Sequence, residues 1–269
     1  MKNQFLELFK ETKNQSRKLI KYFSVYEEIF KDFREKDIIF VEIGIHNGGS
    51  LEIWKKYFST RSRIIGVDVN PECKKFETEG IEVFIGNQSD PEFWKSFFLK
   101  VGKVDIILDD GGHTNLDQII TAASVVPNIN DGGVLLTEDT ITSYMQPYNS
   151  EMKKSFINFS KKIIDDINLK FSKTFKQYEF SLSNYVYSII FFESIVVYKI
   201  DRTKTEFNKL LISDGKSHNI QDLTWEGNEI NIKKIKYFLS LFSSFIRLKK
   251  LTNFFKRKIN SKILEKYFK

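Results

Sequence analysis

The spacing of apolar residues changes character near residue 36. Before that point Leu6, Phe9, Ile20, Phe23, Tyr26 and Phe30 recur at mixed spacings of three and four, which predicts helix over residues 3–35. Beyond it the apolar residues form short unbroken runs. Ile38 to Ile43, Arg63 to Val69, Glu82 to Gly86, Val104 to Leu108 and Gly133 to Thr137 each read as a strand. Helical patterns around residues 50–58, 91–100 and 115–126 separate them. Continuous Val, Ile and Leu runs alternating with helices predict a parallel sheet covered on both faces. Tyr185 to Glu193 and Ile195 to Ile200 are two further runs with almost nothing between them, so they pair antiparallel.

Five parallel βα units and a closing hairpin make an α/β, Rossmann-like, seven-stranded, mostly parallel sheet. It resembles the sheet of class I methyltransferases that use S-adenosylmethionine (SAM). The chain divides into an N-terminal helical cap (1–35), a central domain (36–202) and a C-terminal extension (203–269). In the extension Ile235, Phe238, Leu239, Phe242, Phe245 and Ile246 alternate with Lys and Arg at near-helical spacing.

Charge sharpens this division. The net charge of +7 over 269 residues conceals a tail, residues 231–269, with twelve Lys/Arg against the single acid Glu265. The other residues are net acidic, which argues against a nucleic-acid partner. The basic tail suits packing on the body or on a second copy, or peripheral contact with an anionic membrane surface. One cysteine, Cys73, excludes an internal disulfide and a Cys-based zinc site. The N-terminus shows no signal-peptide core, and no run is long enough to span a membrane. A cytoplasmic protein is expected, with the inner membrane face as its outer limit.

Candidate chemistry gathers at the carboxyl ends of the strands, where open α/β sheets bind ligands. Gly44 and Gly48, after the first strand, let backbone approach a ligand. Asp68 ends the second strand, where an acid can accept ribose hydroxyls. Asn87, Gln88, Ser89 and Asp90 follow the third and could read an adenine edge. The fourth strand runs into Asp109-Asp110-Gly111-Gly112-His113, and the fifth into Glu138-Asp139. Asp110, Glu138 and Asp139 are hard oxygen donors suited to Mg²⁺ or Mn²⁺. His113 is of the residue type that most often serves as a general base. Each feature also has a plain reading: a tight turn, a solvated strand end, or caps of the helix at Pro91 and of segment 140–150.

The runs V-E-I-G-I-H-N-G-G-S from Val41, then G-V-D, G-N-Q-S-D, L-D-D-G-G-H and T-E-D-T, resemble metal-dependent sugar O-methyltransferases of the mycinamicin type. The likeness covers about residues 20–200. It implies SAM contacts from Glu42, Gly44, Asn47, Gly48, Ser50, Asp68, Asn87, Gln88, Ser89, Asp90 and Asp109. It also implies Mg²⁺ (or Mn²⁺) on Asp110, Glu138 and Asp139, and a base at His113. Gly112 and Asn87 depart from the Ser and Asp common in that family, without removing an implied metal ligand or the base. Glu27 and Glu28 are weaker candidates for the same site.

The expectation is SAM-dependent O-methylation of a sugar hydroxyl, with a nucleotide-activated sugar for a surface polysaccharide as acceptor. The alternatives are another small-molecule diol or amine, or a non-catalytic SAM-fold module.

Overall fold

A computed structural model describes residues 4–148, 154–170, 181–206, 211 and 213. Helices α1 (Gln4–Lys10) and α2 (Tyr22–Phe30) precede β1 (Ile39–Ile43), α3 (Gly49–Tyr57), β2 (Arg63–Asp68) and β3 (Ile81–Ile85). Then come α4 (Pro91–Val101), β4 (Val104–Asp109), α5 (Asn115–Val125), β5 (Ile129–Thr137), α6 (Phe156–Leu169), β6 (Val186–Phe192) and β7 (Ile195–Ile200). The strands form one seven-stranded sheet in the order β3-β2-β1-β4-β5-β7-β6. Strands β1 to β5 pair in parallel, and β7 is antiparallel to both β5 and β6. The predicted sheet and hairpin are therefore present.

The sheet separates two cores because successive side chains of a strand point to opposite faces. Phe40, Ile64, Ile106, Leu108, Leu136 and Val197 pack under α1, α2 and α3. Val41, Ile43, Ile65, Val67, Ile107, Leu135 and Val196 face Trp94, Phe97, Val125, Phe156 and Ile163 of α4, α5 and α6. The strands carry no polar alternation because both faces are dry.

The first core is aromatic. Phe5 lies 4.5 Å from the Trp54 ring centre and 4.7 Å from that of Tyr26, and Tyr26 lies 5.4 Å from Trp54. These rings clamp α1 and α2 onto α3 and so fix α2 beside the ends of β4 and β5.

The helical pattern expected over residues 3–35 is carried by two helices, α1 and α2, rather than by the whole stretch. Residues 12–20 between them are non-helical, mostly exposed, and tied down where Lys13 and Asn14 donate backbone N–H groups to Glu52. Asn14, Gln15 and Ser16 favour this break, because short polar side chains compete with helical hydrogen bonding. Chain contacts divide the sequence into two compact units, Met1–Lys209 and Leu210–Lys269. Nearly all of the second unit, with the basic amphipathic pattern, lies outside the described residues. Among those described, no helix is long and apolar enough to cross a membrane.

Candidate active site

At the carboxyl ends of β1, β2, β3 and β4 the sheet opens into a cavity of about 720 Å³. Gly44, His46, Asn47, Ser50, Asp68, Asn87, Gln88, Asp110, His113 and Asp139 all line it, as do Gln15 to Lys18 of the segment between α1 and α2. Gly44 has φ +83°, and a Cβ there would stand 2.2 Å from the Asp110 carbonyl oxygen. Only glycine lets the β1 and β4 turns approach this closely. Asp68 shapes the same rim. Its Oδ2 accepts the Ile45 and His46 N–H groups at 3.0 and 3.1 Å, and its Oδ1 accepts that of Asn70 at 2.9 Å.

Several residues implied as SAM contacts spend their polar groups on the protein instead. Glu42 is fully buried, accepts the Ser50 hydroxyl at 2.6 Å, and is not a lining residue. Gly48 starts α3 at φ +75°, where a Cβ would meet the Phe76 ring at 2.7 Å, so its glycine answers to packing. The Gln88 amide faces the protein: it donates to Asp109 Oδ1 and to Thr121, and its carbonyl accepts the Gly112 N–H at 2.7 Å. Gln88 therefore stitches the β3 loop to the β4 loop rather than presenting its amide to an adenine. Ser89 donates to Asp117. Asp90 is exposed and caps α4 by accepting the Glu92 N–H at 3.0 Å, which is the plain reading of that residue. Asp109, held by Gln88 and the Gly111 N–H, is buried beneath the loop.

The β4 and β5 ends bring Asp110, His113 and Asp139 together, with one donor atom from each lying within 4.8 Å of the others. His113 Nε2 is 3.8 Å from Asp110 Oδ1 and 3.6 Å from Asp139 Oδ2. Both distances exceed a direct hydrogen bond, so the imidazole is close to the two acids without being bonded to them. His113 and Asp139 have φ of +57° and +52°, a conformation that costs energy for residues with a Cβ. The Thr142 hydroxyl lies within hydrogen-bond distance of the His113 and Asp139 carbonyls, at 2.7 and 2.8 Å, and shares its one proton between them. The side chain of Asp139 makes no cap bond to the turn that follows, so the capping reading of this acid fails.

Glu138, expected beside Asp139 as a ligand, points inward. Tyr26 donates its hydroxyl to Glu138, and the Lys18 ammonium contacts both of its oxygens, at 3.1 and 3.2 Å. The same ammonium sits 2.6 Å from Asp110 Oδ2 and 3.7 Å from Glu42 Oε1, with its side chain only 2% exposed. Burial pulls the Lys18 ammonium down, but Asp110, Glu138 and Glu42 together outweigh it and hold it well above its ordinary range. Burial likewise raises the acids: Glu42 is pushed up to about 7 and Asp109 to about 6. Glu138 is raised by burial and then by the neighbouring Asp110.

Lys18 is the functional residue that sequence reasoning missed. No helical spacing marked it, because it lies in the non-helical segment before α2 and meets its partners only through the fold. Glu27 is not at the site, because it pairs with Arg34 at 2.6 Å and accepts the Phe5 N–H; Glu28 is exposed.

Strand order, the closing antiparallel hairpin and a cavity at the carboxyl edge define the class I SAM methyltransferase fold. The MycE methyltransferase from the mycinamycin biosynthetic pathway, solved in complex with Mg and SAH, shares it: TM-score 0.69, 22% identity, over 81% of this chain and 59% of that one.

In sequence, the chain is 29% identical over 157 residues to an 8-demethyl-8-alpha-L-rhamnosyl tetracenomycin-C 2'-O-methyltransferase of Streptomyces olivaceus. That match covers 55% of this chain and 41% of the relative. It is 31% identical over 133 residues to mycinamicin VI 2''-O-methyltransferase of Micromonospora griseorubida, covering 47% of this chain and 33% of that one. The matched stretches thus span only a third to two fifths of these curated relatives. No protein-family model matches the chain.

Proposed function

We propose that this protein is a SAM-dependent O-methyltransferase that acts on a sugar hydroxyl with the help of a divalent cation. One observation carries the reading: the Asp110, His113 and Asp139 cluster opens into the same cavity as the glycine-rich β1 turn and Asp68. A hard-donor set and a histidine beside that turn support metal-assisted proton removal next to a bound methyl donor. The relatives named above, sugar O-methyltransferases, support the same chemistry.

The residues present fit both groups. Asp110 Oδ1 and Asp139 Oδ2 converge without bonding His113, and two carboxylate oxygens beside an open cavity suit Mg²⁺ or Mn²⁺. Asp110 and Asp139 would hold the cation, and Glu138 adds negative charge behind them. A bound divalent cation would lower the pKa of a coordinated sugar hydroxyl and orient it. His113, beside both acids, takes the hydroxyl proton as the oxygen attacks the methyl group. Gly44 and the amides at the start of α3 would cradle the donor's polar end. Asp68, which lines the cavity and has lone-pair capacity left on Oδ1 beyond the Asn70 N–H, would accept its ribose hydroxyls. Because methyl transfer is an in-line displacement, most of the acceleration comes from this positioning.

For the acceptor we infer a small molecule bearing the sugar. A nucleotide-activated sugar for a surface polysaccharide follows from the sequence reading, while the names of the relatives carry glycosides of polyketides. The deciding experiment is conversion of SAM to S-adenosylhomocysteine (SAH) with nucleotide sugars and glycosides in parallel, with Mg²⁺ and with chelator. Metal-dependent turnover on one acceptor establishes the reaction and names the substrate. Tight SAH binding without turnover on any acceptor refutes the small-molecule acceptor, and failure to bind SAH refutes the whole reading.

A further inference from the structure

Among the described residues, Asp110 and Asp139 are each held by one carboxylate oxygen. Lys18 contacts Asp110 Oδ2 at 2.6 Å, and the Tyr22 hydroxyl donates to Asp139 Oδ1 at 2.5 Å. In both aspartates the other oxygen, Oδ1 of Asp110 and Oδ2 of Asp139, is the one that faces His113. Tyr22 and Tyr26 stand one turn apart on α2, and Lys18 comes from the non-helical segment that precedes it; Tyr26 serves Glu138.

Tyr22 does more than touch the carboxylate. Its oxygen also accepts the Asp139 backbone N–H at 3.3 Å, so one phenol holds both the side chain and the backbone of a residue at φ +52°. The Thr140 N–H, donated to the Ser194 carbonyl at 3.0 Å, secures the next peptide. Tyr22 is 2% exposed and T-shaped against Tyr26, which is locked in the aromatic core, so the hydroxyl cannot follow Asp139 if the acid swings.

We infer that Tyr22 is a positioning residue for the divalent-cation site: it selects which oxygen of Asp139 faces the cation and holds that oxygen in place. The inference rests on the metal-assisted reading above. Partners that orient a ligand from behind it typically contribute ten- to hundred-fold in metal affinity.

The test compares Tyr22→Phe with Tyr57→Phe. Tyr57 lies in the same aromatic core, 1% exposed, but its hydroxyl accepts from Arg34 and touches no site carboxylate. Mn²⁺ and SAH affinities are measured by calorimetry on the full chain. Tyr22→Phe is expected to weaken Mn²⁺ binding about tenfold, with SAH affinity unchanged within about twofold. The Mn²⁺ concentration for half-maximal turnover rises with it, while the rate at saturating Mn²⁺ recovers. Tyr57→Phe leaves Mn²⁺ affinity alone. Wild-type Mn²⁺ affinity in Tyr22→Phe, or an equal loss in Tyr57→Phe, overturns the inference and leaves the metal-assisted reading standing. If the wild-type protein itself binds no Mn²⁺, that reading falls first and the inference with it.

Discussion

Replacing Glu42 with Gln separates the cost of a buried charge from every other effect at this site. Glu42, the penultimate residue of β1, has no exposure, and burial pushes it from an ordinary 4.5 to about 7, against the opposing pull of Lys18 and the Ser50 hydroxyl. Between those two values the folded protein keeps a proton that the unfolded chain has lost. Stability therefore falls as pH rises through this window, and the loss is complete above about 7. With ~1.4 kcal/mol for each pKa unit, the loss comes to about 3 kcal/mol. For a domain of this size that corresponds to roughly 6–12 °C in melting temperature. A glutamine at position 42 is neutral throughout, and its carbonyl can still accept the Ser50 hydroxyl.

Urea unfolding in chelator from pH 5 to 8 is the assay, read as the difference between the two proteins so that other raised acids cancel. The variant is expected to match the wild type near pH 5 and to exceed it by about 3 kcal/mol at pH 8. Parallel stability curves across that range, or a variant less stable at pH 8, would refute the reasoning.

Other outcomes follow from the same geometry. His113→Ala should retain SAH binding while turnover drops by roughly 10² to 10⁴, the usual contribution of a general base; equal loss of binding and rate removes the base assignment. Asp110→Asn should weaken Mn²⁺ binding in calorimetry, and full activity of the wild type in chelator would defeat the metal proposal. Gly44→Ala should abolish SAH binding and lower stability by more than about 1 kcal/mol, since φ +83° and a 2.2 Å approach to the Asp110 carbonyl both oppose a Cβ. A variant that binds SAH normally would show that the turn relaxes.

Much of this protein was legible along the chain because its signals are local. The strands announced themselves as unbroken apolar runs, since a sheet covered on both faces leaves no room for polar alternation. Their parallel pairing followed from βα alternation, and Gly44, Asp68, Asp110, His113 and Asp139 line one cavity at the carboxyl edge. The short hairpin connection at Glu193 and Ser194 fixed the antiparallel pair.

What the tertiary structure alone decided is how each polar side chain is spent. Asp90, Gln88 and Glu138 were read as ligand-facing because they follow strands, yet one caps a helix, one stitches two loops and one meets a lysine. Those outcomes depend on partners far away in sequence: Lys18 lies 92 residues from Asp110 and 120 from Glu138, and Tyr22 lies 117 from Asp139. No local pattern encodes such a meeting. The aromatic clamp of Phe5, Tyr26 and Trp54 brings α2 to the ends of β4 and β5. Only once it is there does burial compel every charge at that edge to find a partner.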